Sequence, residues 1–328
     1  MKYLIAVTFL FPSFLCIGQL QWNNVDTLFG PLPRSVHVYF TSQAIDTAPF
    51  KAYYIVADLK DRKLDFTTDT TLYRRLTPAQ FFERNSQPLL VVNGTFFSFE
   101  TNQNLNVVIK NGEMVSYNSP IRGKGKDSLM YYHSFKSALG ISKEREADVA
   151  WVYADSSETY PMAFQLPLCM KDIYIPASKK LSYRRAKQFD DCTTDLLTQN
   201  FVEKKWKMQT AIGGGPVLVH YDFIKVTNEQ ERLFTGKAIN DKHPRTAMGY
   251  TKDNKLIILA IEGRNKEAGG ATLLQEAQIL KDLSCVEALN LDGGGSSCLL
   301  INGKETIRPS DTKGQRPVPA VFMIFQKK

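Results

Sequence analysis

Cysteine and histidine are scarce in this chain, with five and four among 328 residues. No two cysteines stand at C-x-x-C spacing, and His37, His133, His220 and His243 are scattered, so no zinc centre is expected and no metal ligand set stands out. Carboxylates form no dense cluster either. Beyond the first eighteen residues no apolar run reaches the roughly twenty residues that a membrane span needs. Internal repeats and low-complexity tracts are lacking, which excludes repeat arrays and biased disordered segments. A basic helix and any nucleic-acid motif are lacking too. The formal charge of +8 therefore implies no DNA or RNA partner, and acidic ligands are the class it favours.

What is present begins with a leader. Lys2 supplies a short positive region, Tyr3 to Ile17 is apolar, and Cys16-Ile17-Gly18 is a small-residue cleavage site before Gln19. Residues 1–18 read as a removed signal peptide, with Leu15 arguing against a lipoprotein site. The expectation is export to the periplasm or medium, with no integral membrane segment in the mature chain. Cys169, Cys192, Cys285 and Cys298 remain, and they allow two disulfides in three connectivities or buried free thiols. The apolar surroundings of Cys285 and Cys298 favour thiols.

Hydrophobic residues make up 43% of the chain, enough for a sizeable core. Short β-rich runs recur at residues 35–40, 51–59, 64–70, 89–92, 137–142, 149–153, 256–261 and 320–325, and Asn111-Gly112 and Asn302-Gly303 mark tight hairpins. Capping boxes open two helices, at Thr77-Pro78-Ala79-Gln80 and at Thr272 with Gln275. The second carries Leu273, Leu274, Ala277, Leu280 and Leu283 as its apolar stripe. These elements predict an α+β fold, a mixed and mainly antiparallel sheet with flanking helices, in one domain over residues 19–328. Arg122 to Lys126 reads as a flexible basic loop. Residues 160–205 read as an insertion or peripheral subdomain, helical from Asp195 to Lys205.

One pattern occurs three times: an apolar strand that runs into a glycine turn. It appears at Val92-Asn93-Gly94-Thr95-Phe96-Phe97, at Ile212-Gly213-Gly214-Gly215-Pro216, and at Asn290-Leu291-Asp292-Gly293-Gly294-Gly295-Ser296. A glycine triplet costs backbone entropy, so it makes sense where φ is positive or another group comes close. Its N–H groups can form an anion-binding nest, or Asp292 can simply cap its own turn. Glu262-Gly263-Arg264 ends another apolar strand, a position where sites are commonly placed. Glu276 sits in the first turn of the second helix, where the macrodipole favours a carboxylate. Because that helix feeds the Asp292 strand, its N-terminus is expected some distance from Asp292.

Taken together, these pieces resemble the phosphodiester glycosidase family. The resemblance rests on Asn93 to Phe97, Gly213 to Pro216, Arg245-Thr246-Ala247-Met248-Gly249, Glu262-Gly263-Arg264, the helix start from Gly270 to Glu276, and Asn290 to Ser296. In that order they span about residues 90–325. Thr95 stands where the family commonly has a second glycine, and Glu262 where it often has aspartate. The resemblance implies a hydrolase, with no cofactor, that cleaves the glycosidic C–O bond of a sugar-1-phosphodiester of the N-acetylglucosamine-1-phosphodiester kind. Sugar and phosphomonoester are the products.

Phosphate leaves readily, so cations around it matter more than a strong general acid. Arg245 and Arg264 are expected on the phosphodiester, helped by the amides of Gly293, Gly294 and Ser296. Asp292 is the carboxylate expected at the anomeric carbon, Glu262 its partner acid or base, and Glu276 a substitute. Asn93 and Asn290 would bond the sugar, Phe96 or Phe97 would lie under its ring, and Gly94, Thr95 and Gly214 would shape the pocket. Plainer roles stand beside these: an Arg245–Glu262 ion pair, and Glu276 as a helix-start charge. Two other functions compete, a non-catalytic binder of anionic glycans and a metal-dependent phosphodiesterase with Asp292, Glu262 and Asn290 as oxygen ligands.

Overall fold

A computed structural model describes residues 19–119, 121–122, 130–132, 135–154, 158–167, 175–176 and 204–327. The expected signal peptide, the basic loop at 123–126, Cys169, Cys192 and most of the expected insertion lie outside them.

Three large sheets make the fold. An eight-stranded sheet runs in the order Asn23–Asn24, Val36–Thr41, Ala52–Asp58, Lys255–Ile261, Arg245–Thr251, Cys285–Asn290, Val217–His220, Phe223–Ile224. A five-stranded sheet runs Lys304–Glu305, Leu299–Ile301, Leu90–Asn93, Ala320–Gln326, Leu64–Thr70. A seven-stranded sheet is built around Lys136–Ile141 and Ala147–Tyr153. Every strand pairing among the described residues is antiparallel, where a mixed sheet is expected. Part of this is local, since short turns such as Asn111-Gly112 and Asn302-Gly303 reverse the chain between neighbouring strands; the long-range pairs, such as Ala52–Asp58 with Lys255–Ile261, are antiparallel as well. The ends of the expected insertion are sheet strands, Met162–Phe164 and Lys204–Lys205, paired with each other at the edge of the seven-stranded sheet. Lys204–Lys205 is thus a strand where a helix is expected.

One apolar cluster draws side chains from all three sheets, among them Ile55, Met248 and Leu289, Leu139, Trp151 and Ile212, and Val92, Leu299 and Phe322. Leu90–Asn93 is buried along its whole length, which is why its sequence reads as a continuous apolar run rather than an alternation. Helix Leu273–Asp282 covers the outer face of the eight-stranded sheet, with Leu273, Ala277, Ile279 and Leu280 against Leu218, Ala247 and Leu259. Its Thr272–Gln275 capping box forms reciprocally, as does that of Thr77 and Gln80 on helix Pro78–Arg84. Leu274 departs from the expected stripe: it is 62% exposed, and Ile279 is buried on that helix instead. Cys285 and Cys298 are buried free thiols. Among the described residues no helix is long and apolar enough to cross a membrane.

Candidate active site

Asp292 follows the strand Cys285–Asn290 at the seam between two sheets. On one side Leu291 donates its amide to Thr246 O at 2.7 Å and Gly294 donates to Pro244 O at 2.8 Å, which folds the glycine loop back along Pro244-Arg245. On the other side the Asp292 amide donates to Gly94 O at 2.9 Å. The turn after strand Leu90–Asn93 therefore meets the turn after Cys285–Asn290, and Asp292 sits where they touch.

A pocket of about 190 Å³ opens there, lined by Phe96, Phe234 and Ala238, by His243, Arg245, Arg264 and Arg316, and by Asp292 with its three glycines. The triplet is explained by what lies over it. Gly294 has φ +62°, and a Cβ there would stand 3.0 Å from Nη2 of Arg264. A Cβ on Gly295 would collide with the guanidinium of Arg316, and one on Gly293 would stand 2.9 Å from Pro244 O. The missing side chains make room for two guanidiniums to lie on the loop. The other triplet does a different job: Cβ atoms on Gly213 and Gly214 would strike Asn106 and Asn290 O, inside the protein and away from this pocket.

The charges of the pocket are one-sided. Arg245 is held from behind, its Nε donating to Ala271 O at 3.0 Å, and its guanidinium lies 5.8 Å from the Phe234 ring centre. Arg316 donates from Nε to Asp311 Oδ2 at 2.7 Å and reaches Ser296 Oγ at 3.5 Å. Arg264 Nη2 lies 3.3 Å from His243 Nδ1, which must accept because a guanidinium only donates. Burial and the neighbouring Arg245 and Arg264 hold the His243 pKa below its ordinary value, in keeping with that accepting, neutral ring. Desolvation pushes the Asp292 carboxyl up to about 7, against the opposing pull of the Ser296 hydroxyl, the Arg316 charge and the Gly293 amide. A carboxyl balanced near neutrality can exist as base or acid at ordinary pH.

Behind the wall, Glu276 is wholly buried with neither carboxylate oxygen hydrogen-bonded. Burial raises its pKa to about 8, offset in part by Arg245. The helix N-terminus is therefore not remote from the Asp292 site: Ala271 and Glu276 back the Arg245 that lines it.

Several expected site residues face elsewhere. Asn93 is fully buried, and its amide is spent on Asp292 O, Thr246 and Cys298 rather than offered to a sugar. Asn290 donates to Gly215 O at 2.8 Å and Leu291 O at 2.7 Å, also out of the pocket. Thr95 is buried and bonds Asn104, Gly94 packs on Ile212, and Gly214 accepts from Asn106. Glu262 accepts from Asn265 Nδ2 at 3.0 Å and from the Arg308 amide at 2.9 Å, and it forms no pair with Arg245. Asp292, Glu262 and Asn290 thus do not gather as a ligand set, and the described residues hold no group of three or more His, Cys, Asp or Glu side chains fit for a metal ion. Phe96 lines the pocket, whereas Phe97 packs in the core beside Val91 and Cys298. Sequence reasoning passed over Arg316, His243 and Phe234. Arg316 has one local signal, a cation just before the last apolar strand; the other two have none.

Comparison with known proteins speaks to family and fold. The sequence pattern of the phosphodiester glycosidase family matches residues 86–325. A Bacillus subtilis protein described as SPbeta prophage-derived uncharacterized protein YomE is 35% identical over 80 residues, 24% of this chain and 12% of its own length. The mouse N-acetylglucosamine-1-phosphodiester alpha-N-acetylglucosaminidase is 34% identical over 88 residues, 27% of this chain and 17% of the mouse protein. The matched segments are therefore a small part of both relatives. Among solved structures, the catalytic domain of the zebrafish N-acetylglucosamine-1-phosphodiester alpha-N-acetylglucosaminidase, auto-inhibited by its pro-peptide, superposes with a TM-score of 0.58 at 18% identity, covering 94% of this chain and 89% of that one. A hypothetical protein from Synechocystis gives 0.60 at 15% identity over 94% of this chain and 64% of its own. At such identities these two structures speak for the fold.

Proposed function

The chain belongs to the phosphodiester glycosidase family, and from that premise we propose that it hydrolyses the glycosidic C–O bond of a sugar-1-phosphodiester at the Asp292 pocket. The observation that carries the proposal is the meeting of three guanidiniums with one carboxyl poised near neutrality in a pocket of about 190 Å³. Arg245, Arg264 and Arg316 suit the two non-bridging oxygens of a diester, because planar forks bind phosphate better than a point charge does. As the bond from C1 to the bridging oxygen breaks, its electron pair passes to the phosphate, and the arginines take up the added negative charge. The sugar becomes oxocarbenium-like, and the Asp292 carboxylate stabilises it, attacks it or takes a proton from the water that does. Water supplies the hydroxyl on the sugar, and a phosphomonoester leaves. Phe96 and Phe234 give the ring an apolar side. N-acetylglucosamine is the sugar proposed, by analogy with the mouse relative. Residues 1–18, as a signal peptide, would place the reaction outside the cytoplasm.

The test is hydrolysis of an N-acetylglucosamine-1-phosphodiester in ¹⁸O-water. Label in the sugar supports C–O cleavage. Label in the phosphate makes the protein a phosphodiesterase and removes Asp292 from the anomeric carbon.

A further inference from the structure

Beside the pocket, on the Arg316 side, the protein leaves apolar surface uncovered. Leu72 is 76% exposed, Tyr73 59% and Phe99 65%, three of the largest exposures among its bulky apolar side chains. The Tyr73 and Phe99 segments are joined, since Asn102 Nδ2 donates to Tyr73 O at 3.4 Å. Two cations flank the Phe99 ring: Arg75 Cζ lies 5.4 Å from its centre and Arg316 Cζ 5.5 Å. Arg316 is also a wall of the pocket, so pocket and ledge share a guanidinium. Arg75 lies 5.1 Å from Phe97 as well and forms no salt bridge among the described residues.

An exposed aromatic beside the Asp311-paired Arg316 and an Arg75 guanidinium that forms no salt bridge among the described residues is a poor seat for a neutral hydrocarbon, because covering the Arg75 charge without a counter-charge is costly. It suits a ring with an apolar face and an anionic substituent, the ring lying on Phe99 and the anion facing Arg75. We propose that this ledge binds the leaving-group side of the substrate, and that the group bound there is a pyranose carrying its own negative charge, as in the next unit of a sugar-phosphate chain. The inference rests on the phosphodiester reading of the pocket and goes beyond it: the enzyme takes internal linkages of an anionic glycan rather than a lone terminal cap. Arg316 is the hinge of this arrangement. It contacts the scissile phosphate on one side and the ledge on the other, and so it measures the spacing between successive anions.

The experiment is calorimetric titration of the intact protein, at one fixed low ionic strength, with methyl phosphate, glucose 6-phosphate and glucose 1,6-bisphosphate. Affinity is expected to rise in that order, by about tenfold for the added ring and about tenfold again for the added charge. Phe99→Ala should abolish the first gain, and Arg75→Ala the second, with methyl phosphate bound as in the wild type. Phe99 is exposed, whereas Arg75 is half-buried over the Phe97 ring, so a thermal melt of each variant, with methyl phosphate affinity retained, shows that the fold is kept. Equal affinities for the three ligands, or gains that survive both substitutions, overturn the ledge while leaving the pocket reading intact. Failure of methyl phosphate to bind overturns the pocket reading and the ledge with it.

Discussion

The side-chain amide of Asn93 donates to the backbone carbonyl of Asp292 at 2.5 Å, while its oxygen accepts from Thr246 Oγ1 at 2.9 Å and from the Cys298 amide at 3.0 Å. One buried side chain thereby ties the glycine loop at Asp292 to Thr246 of strand Arg245–Thr251 and to Cys298. Asn93→Ala should reduce stability and activity together. A buried group left unpaired costs about 1–3 kcal/mol, so the loss of these bonds should lower Tm by several degrees. Asp292→Asn should separate the two effects, with kcat down by roughly 10²–10⁴ and Tm not lowered, since the amide keeps the neutral form that burial favours. Thermal melts and kcat/KM on both variants check this; unfolding of Asp292→Asn would make the carboxyl a structural group.

Asp292 and Glu276 also set a pH dependence of stability. Their folded pKa values, about 7 and about 8, lie above those of unfolded carboxylates. The stability this preference for the neutral form contributes is complete below about pH 4 and is lost as pH rises through 7 and 8. Glu276→Gln keeps the neutral form at every pH. Its Tm relative to wild type should therefore climb between about pH 5 and about pH 9. A constant difference across that range would mean that attraction to Arg245 outweighs burial.

Activity should follow Asp292 in its ionised form, so kcat/KM should rise with pH through a midpoint near 7. Arg316 is one of the groups that pull this pKa down. Arg316→Ala should shift the rising limb to higher pH and cut kcat/KM by about 10–100-fold through lost phosphate contact. A lower kcat/KM with an unmoved limb would leave Arg316 as a phosphate ligand alone.

Glu262 is expected to act as a positioning residue. It clamps Asn265 and the Arg308 amide, and two positions on Arg264 holds φ +64°, a conformation that bulky side chains seldom adopt. Glu262→Gln turns an N–H donor toward one of these donors and should cost about 1–3 kcal/mol. KM should rise as Arg264 loosens, with the acid limb of kcat/KM in place. A loss of that limb would instead make Glu262 the partner acid or base.

Local chemistry was legible in the sequence and long-range chemistry was not. Thr77 and Thr272 cap their helices because a capping box needs only three neighbouring residues. Asn111-Gly112 and Asn302-Gly303 reverse the chain for the same reason. Asp292 and Arg245 stand out because each ends or begins an apolar strand at a glycine-rich turn or a charged motif, and both line the pocket. Nothing in the sequence told Phe96 from Phe97, since alternation decides which ring faces the core and the turn after Gly94 resets it. Glu262 and Asn93 had the composition of ligands, but their partners, Arg308 and Cys298, are distant in the chain. Arg316 acquires its role only by crossing over Gly295.

The strand Ala52–Asp58 pairs with Lys255–Ile261, and Leu64–Thr70 pairs with Ala320–Gln326. Segments made early thus wait for partners made last, and the pocket walls, from Phe96 to Arg316, close only when those partners arrive. Such a topology folds slowly, because loop closure must precede reward. A nascent or C-terminally nicked chain that lacks Ala320–Gln326 is therefore expected to be inactive, because that strand pairs directly with Leu90–Asn93, whose Asn93 holds the Asp292 carbonyl.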